Sequence, residues 1–268
     1  MTMPEFSLCL NPQCPEPQNA LTAAQCVSCG EALLLQGQYR AIALLGQGGF
    51  GRTFKAIDEG HPQQKYCAIK QFLPQQTQHQ SKAAELFAQE AKRLQTLGNH
   101  RQIPTLYDYF QVGDRQYLVQ EFIDGKNLAQ ELAEAGKFTA TDIKVLLKEL
   151  LPVLGMIHRH QVIHRDIKPE NIIRRSPGTS AEKATLVLVD FGAAKHATET
   201  TLGKTGTMIG SAAFIAPEQV RGKATFASDL YSLGVTCVHL LTAIAPFDLL
   251  DSGDNKWIWQ DYVAPIQV

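Results

Sequence analysis

The period of apolar positions changes along the chain, and each change predicts a different kind of structure. Through residue 35 no period holds. Cys, Pro, Gln and Asn dominate there, and the apolar side chains are too few for a core, so order must come from cross-linking by a metal or by disulfides. From Tyr39 the pattern alternates. "YRAIALLG" predicts a strand, "RTFKAID" a second and "KYCAIKQF" a third, with "GQGGFG" joining the first two. "AAELFAQEAKRLQTLG" then sets Ala83, Leu86, Phe87, Leu94 and Leu97 at helical spacing, and "TLYDYFQV" and "RQYLVQEFI" flank a turn at Gly113 and Asp114. This predicts an antiparallel sheet with one inserted helix.

After Gly125 the texture becomes helical. "TATDIKVLLKELLPVLGMIHRHQ" carries a long apolar stripe behind a capping Thr139 or Thr141. "NIIRR" and "TLVLVDFG" predict a hairpin around a Ser/Pro/Gly-rich loop at 176–181. "SDLYSLGVTCVHLLTA" is apolar nearly all round and predicts a buried central helix. A sheet-rich lobe followed by a helical lobe predicts a cleft between them, a usual place for a ligand. The expected domains are 1–35, 36–122 and 123–268.

Composition narrows the function classes. The 268 residues are 44% hydrophobic and 19% charged, a globular balance, and the net charge of −1 implies no pull toward nucleic acid or an anionic membrane. No run approaches the ~18 apolar residues of a membrane span, and the N-terminus lacks a basic-then-apolar signal pattern. The expectation is a cytoplasmic protein with reduced thiols, which weakens the disulfide reading of the opening segment.

Three groups of residues carry candidate chemistry. Gly46-x-Gly48-x-x-Gly51 is weak alone, because the same spacing marks dinucleotide-binding turns; here it joins two strands, a hairpin that can lay backbone N–H groups over phosphates. Lys70 ends an alternating run, and Glu90 falls on the apolar face of the helix, where a carboxylate needs a cation. "VIHRDIKPENII" and "LVLVDFGAAK" supply Asp166, Asn171 and Asp190, hard oxygen donors suited to Mg²⁺ and to a hydroxyl nucleophile. "APE" at 216–218 and "SDLYSLG" at 228–234 follow in order.

With these motifs the sequence resembles the eukaryotic-type Ser/Thr protein kinases from about Tyr39 onward. The resemblance implies an α+β, bilobal protein-kinase fold: an antiparallel sheet lobe with one helix, then a mainly helical lobe that is incomplete at its C-terminus. It implies that Gly46, Gly48 and Gly51 cover the phosphates of ATP, and that Lys70, held by Glu90, contacts them. Asp166 is then the catalytic base, Lys168 steadies the transferring phosphoryl group, and Asn171 and Asp190 hold Mg²⁺ or Mn²⁺. Adenine meets the backbone at Glu121 and Ile123, Gln120 is the gatekeeper, and Asp229 orders the catalytic loop.

His164 and Phe191 belong to a packed column with Leu94 and Leu106. Arg165 implies control by phosphorylation of 193–211, which holds Thr198, Thr200, Thr201, Thr205 and Thr207. The substrate is a protein hydroxyl, with Glu170 a thin pointer to basic neighbours. Thr53 replaces the usual Val, Ser211 the usual Thr, and the Arg that pairs with Glu218 in the family has no evident counterpart.

Four of the six cysteines, Cys9, Cys14, Cys26 and Cys29, stand in the opening segment. Cys26-x-x-Cys29-Gly30 is a knuckle and Cys9-x4-Cys14 a looser partner, so the segment resembles a short zinc ribbon, with a thiol switch as the alternative. Cys67 and Cys237 lie in apolar runs and are packing residues. The arrangement also resembles cyanobacterial kinases with four N-terminal cysteines, which implies bacterial signalling. A second reading, a kinase-like scaffold whose cysteine segment binds a partner or senses redox state, is disfavoured by the intact Lys70, Asp166, Asn171 and Asp190.

Overall fold

Strand pairing follows the alternation in the sequence. The structure, a computed structural model, describes residues 4–48, 51–73, 80–177, 184–191, 213–251 and 256–263. The five threonines and Ser211 of the 193–211 segment lie outside them. The chain divides into two units, Met1–Ala91 with Thr105–Phe122, and Lys92–Pro104 with Ile123–Val268.

In the first unit a short hairpin, β1 (Phe6–Leu8) and β2 (Gln18–Ala20), precedes the main sheet. That sheet comprises β3 (Leu34–Leu35), β4 (Tyr39–Gly48), β5 (Gly51–Asp58), β6 (Tyr66–Phe72), β7 (Leu106–Val112) and β8 (Arg115–Glu121), in the order β3-β4-β5-β6-β8-β7 and antiparallel throughout. The inserted helix, α1 (Gln80–Leu97), begins three residues before the apolar stripe and belongs to this unit through Ala91.

Alternation gives the sheet two distinct faces. Cys67, Ile69, Phe54, Ala56, Tyr39, Ala41, Tyr117 and Val119 make one buried cluster, and Leu10 of the cysteine segment fills it together with Leu35. The offset face of β6 carries Lys70 and Phe72, and the Phe72 ring lies 5.6 Å from that of Phe87 on α1. One sheet face therefore packs under the cysteine segment and the other under α1. Gly51 is required by close approach: a Cβ there would lie 2.1 Å from the Gln71 carbonyl oxygen.

In the second unit β9 (Gly125–Asn127), β10 (Ile172–Arg175) and β11 (Thr185–Leu188) form an antiparallel sheet ordered β11-β10-β9. The β10–β11 hairpin was legible, whereas β9 was not. Gly125 sits there at φ +155, and a Cβ would lie 2.0 Å from the Arg174 carbonyl oxygen. Helix α2 (Leu128–Ala135) follows, capped reciprocally by Asn127 and Gln130. Helix α3 (Ala140–Arg159) is capped by Thr139 with Asp142, and buries Ile143, Leu146, Leu150, Val153, Leu154 and Ile157. The short α4 (Pro217–Val220) precedes α5 (Phe226–Thr242).

The pattern predicts a buried central helix that is apolar nearly all round; α5 buries much of its length, and several of the residues it buries are polar. Its buried side includes Asp229, Ser232 and Thr236, while Phe226 and Leu230 are exposed. The hydroxyls of Ser232 and Thr236 bury cheaply because each donates to the carbonyl four residues earlier, at 3.0 and 2.8 Å. Among the described residues no helix is long and apolar enough to cross a membrane.

Candidate active site

In the first unit Lys70, on β6, donates from Nζ to Oε1 of Glu90 on α1. Both side chains are nearly buried, so each supplies the countercharge the other needs. Thr53 on β5 is the register partner of Lys70. Gly46 and Gly48 close β4, and a Cβ on either would meet nothing within 4 Å among the described residues. Neither local packing nor a left-handed backbone demands glycine there. That fits a place kept clear for another molecule's phosphates. Glu121 ends β8, with its N–H on the Thr105 carbonyl at 2.8 Å; Gln120 beside it is buried.

The second unit assembles the acids. Asp166 is buried, with Oδ1 3.2 Å from Lys168 Nζ and Oδ2 accepting from Asn171 Nδ2 at 2.8 Å. Asn171 Nδ2 also donates to the Asp166 carbonyl at 2.8 Å, which fixes the amide and commits its oxygen to face away from Asp166. The Val189 N–H donates to the Asn171 carbonyl at 2.9 Å, so the residue before Asp190 is tied to Asn171. Asp190 adopts φ +66 and Arg165 φ +71, in the left-handed region that few non-glycine residues enter. An amide oxygen and a carboxylate, the side-chain donors that Asn171 and Asp190 carry, are of the type a hard divalent cation such as Mg²⁺ takes.

Asp229 organises this loop from α5. Fully buried, it accepts the N–H of His164 and of Arg165, both at 2.9 Å, and faces His158 Nε2 at 2.8 Å. The His164 ring lies 4.6 Å from that of Phe191, and both are fully buried with Leu94 in the same unit; Leu106 belongs to the other unit. Arg93 on α1 donates to the Phe191 carbonyl at 3.1 Å. Two residues that the sequence reading did not single out also take part. Gln219 Nε2 donates to the Arg165 carbonyl at 2.8 Å, and Ser228 Oγ donates to Glu218, the acid left without its expected arginine. Glu170 is the middle residue of a 3-10 turn, Pro169–Asn171, and is exposed.

The four N-terminal cysteines converge as their spacing predicts. Their sulfurs all lie within 4.8 Å of one another, and Cys9–Cys29 and Cys14–Cys26 are each 3.5 Å apart. A tetrahedral site with metal–sulfur bonds of about 2.3 Å puts its sulfurs about 3.8 Å apart, so the cluster fits Zn²⁺. Disulfide bonding needs about 2.05 Å, and all four cysteines are free thiols. Burial pushes the Cys9 thiol up. Burial acts upward at Cys26 too, but the N–H groups of Cys29 and Ser28 and the Asn19 amide outweigh it and lower that thiol to about 6. Cys67 and Cys237 are buried singly, and burial raises each to about 12.

Comparison with known proteins places these features. Serine/threonine-protein kinase B of Synechocystis sp. is 42% identical over 97% of this chain and 46% of its own length, a match that reaches into the cysteine segment. Serine/threonine-protein kinase F of the same organism is 38% identical over 94% of this chain and 56% of its own length. The chain thus spans about half the length of these relatives. Among solved structures, the kinase domain of Mycobacterium tuberculosis PknI superposes with a TM-score of 0.58 at 20% identity, over 78% of this chain and 75% of that one, a likeness of fold. The protein kinase domain family matches residues 39–264, from the first long strand of the sheet past the helix that carries Asp229. The chain belongs to that family.

Proposed function

We propose that this chain transfers the γ-phosphoryl group of ATP to a Ser or Thr hydroxyl of a protein, in bacterial signalling. The observation that carries the reading is the setting of Asp166, a buried carboxylate held between Lys168 and Asn171 beside the strand that leads to Asp190. Asp166 accepts the proton of the attacking hydroxyl and orients it. Lys168, 3.2 Å from Asp166, meets the charge that develops on the transferring group. Lys70 is pinned by Glu90 so that its ammonium serves the nucleotide phosphates, with Gly46, Gly48 and Gly51 as their cover and the backbone at Glu121 and Ile123 for adenine. Asn171 and Asp190 would hold Mg²⁺ or Mn²⁺, which neutralises phosphate charge when bound. The acceptor class comes from the relatives, named as serine/threonine-protein kinases.

The four cysteines are read as a structural Zn²⁺ site. Cysteines grouped as free thiols rather than as disulfides support a cytoplasmic setting. Phosphorylation of the chain's own 193–211 segment, which contains five threonines, follows from Arg165 beside the catalytic Asp. Radiolabelled phosphate transfer by the wild type and by Asp166→Asn tests the main reading. Transfer by the wild type alone supports it; no transfer by a folded, metal-loaded wild type overturns it. Mass spectrometry after incubation with ATP should find phosphate between Asp190 and Glu218, and an unmodified segment in an active preparation would refute the autophosphorylation claim.

A further inference from the structure

The carbonyl oxygen of Leu10 is where three strands of the first unit meet the cysteine segment. Gln71 Nε2 on β6 and Arg52 Nη2 on β5 each donate to it at 2.7 Å, and Arg115 Nη1 on β8 approaches at 3.5 Å. The carboxamide of Gln71 is saturated. Nε2 also donates to the Tyr117 hydroxyl at 3.1 Å, and Oε1 accepts Arg52 Nε and Nη2 at 3.1 and 2.7 Å. Because a carbonyl only accepts, the amide can sit in one orientation alone. Gln71 is 1% exposed, and a buried network with every member satisfied holds those members in single positions.

Two neighbours give this network its reach. Leu10 directly follows Cys9, so whatever fixes Cys9 fixes the carbonyl that Gln71 grips. Gln71 directly follows Lys70, and alternation sends the two side chains to opposite sheet faces, Gln71 under the cysteine segment and Lys70 toward α1. Arg52 pairs in register with Gln71, and Gly51 beside it approaches the Gln71 carbonyl. The other ties of the segment go elsewhere: Arg115 pairs with Glu31 at 2.7 Å from β8, and Arg40 Nη1 on β4 donates to the Ala23 carbonyl at 2.9 Å.

We infer that Gln71, clamped by Arg52, is a positioning residue through which the metal-loaded cysteine segment holds the strand of Lys70 and so sets the affinity for nucleotide. The inference rests on the proposed roles of Lys70 and of the four thiolates.

The test uses the full chain, as wild type, Gln71→Leu and Glu31→Gln, each before chelation, after it and after Zn²⁺ is restored. Bound metal, the dissociation constant of Mg·ATP, and deuterium exchange across Tyr66–Phe72 are measured together, with thermal melts to verify folding. Chelation should weaken Mg·ATP binding by the wild type about tenfold and speed exchange in β6, and Zn²⁺ should reverse both. Gln71→Leu should keep its metal, start with weakened binding and fast β6 exchange, and change roughly twofold or less on chelation. Glu31→Gln releases Arg115, the longest of the three contacts to the Leu10 carbonyl, and leaves the Gln71 and Arg52 bonds in place, so it should behave as wild type. If Gln71→Leu does not fold, Arg52→Lys, which cannot make the two-pronged bond to Gln71, is read in its place. Equal losses on chelation in wild type and variant, or none in the wild type, overturn the inference. If the wild type binds no nucleotide, the kinase reading falls, and β6 exchange alone decides the coupling.

Discussion

Ser228 Oγ donates to Glu218 Oε1, giving the acid of the "APE" segment a partner ten residues onward, on α5. Ser228 Oγ also accepts the Thr225 N–H at 2.9 Å, so the bond is built into the cap of α5. The Ser228 hydroxyl, with backbone N–H support, lowers the carboxyl of Glu218 below the ordinary glutamate value. A depressed carboxylate pKa contributes stability above the unfolded value, and that contribution is lost as pH falls through the folded one. The melting temperature of wild type should therefore exceed that of Glu218→Gln at pH 7. The difference should shrink as pH drops below the ordinary glutamate range and vanish beneath the depressed pKa. A pH-independent difference would show that the charge of Glu218 is not what matters.

Lys70 and Glu90 should behave as a unit in stability but not in activity. Lys70→Met leaves a buried carboxylate without its cation, a loss of about 3–5 kcal/mol for a fully buried pair and the lower end here. Removing both charges, in Lys70→Met with Glu90→Leu, should restore most of that stability, since the paired desolvation cost disappears with them. Urea unfolding of the single and double variants checks this. Phosphate transfer should stay low in both, because the ammonium is absent in each.

Asp166→Asn and Asp190→Asn should separate two kinds of loss. Asn at 166 removes the proton acceptor and should lower turnover about 10²–10⁴-fold with nucleotide binding little changed. Asn is among the residues that tolerate the left-handed backbone, so at Asp190, φ +66, it removes charge without adding strain. That variant should melt close to wild type yet lose Mg²⁺-dependent turnover. Rates measured against Mg²⁺ concentration, beside melting curves, distinguish the two.

The site was legible where chemistry sits on the side chain itself and the spacing is local. Asp166, Lys168 and Asn171 lie within six positions, and Glu90 betrays itself as a carboxylate on an apolar stripe. The supporting bonds were not legible. Gln71 reaches the Leu10 carbonyl across 61 positions and Gln219 the Arg165 carbonyl across 54, and a backbone carbonyl leaves no mark in a sequence. Alternation did separate Gln71 from Lys70, but nothing in the alternation says that the face of Gln71 would be covered. The polar residues that α5 buries were not legible for a related reason: Ser232 and Thr236 satisfy themselves on their own helix, so polarity and burial coincide there.

The six thiols should divide sharply on alkylation. Cys67 and Cys237 are buried, and burial pushes each up to about 12, so at pH 8 almost none of either carries the thiolate that reacts. Neither should be labelled by iodoacetamide while the fold holds. The other four share one cluster, with Cys29 exposed and Cys9 and Cys26 buried. A bound metal occupies all four sulfurs at once, so labelling should be negligible in the metal-loaded protein; chelation removes the link that orders this core-poor segment, opens Cys9 and Cys26 to solvent, and should bring labelling to four sites. Mass spectrometry of the alkylated chain counts them. Four labels before chelation would mean that the cluster holds no metal, and six after it would mean that removing the metal unfolds the sheet that buries Cys67 as well as the unit that buries Cys237.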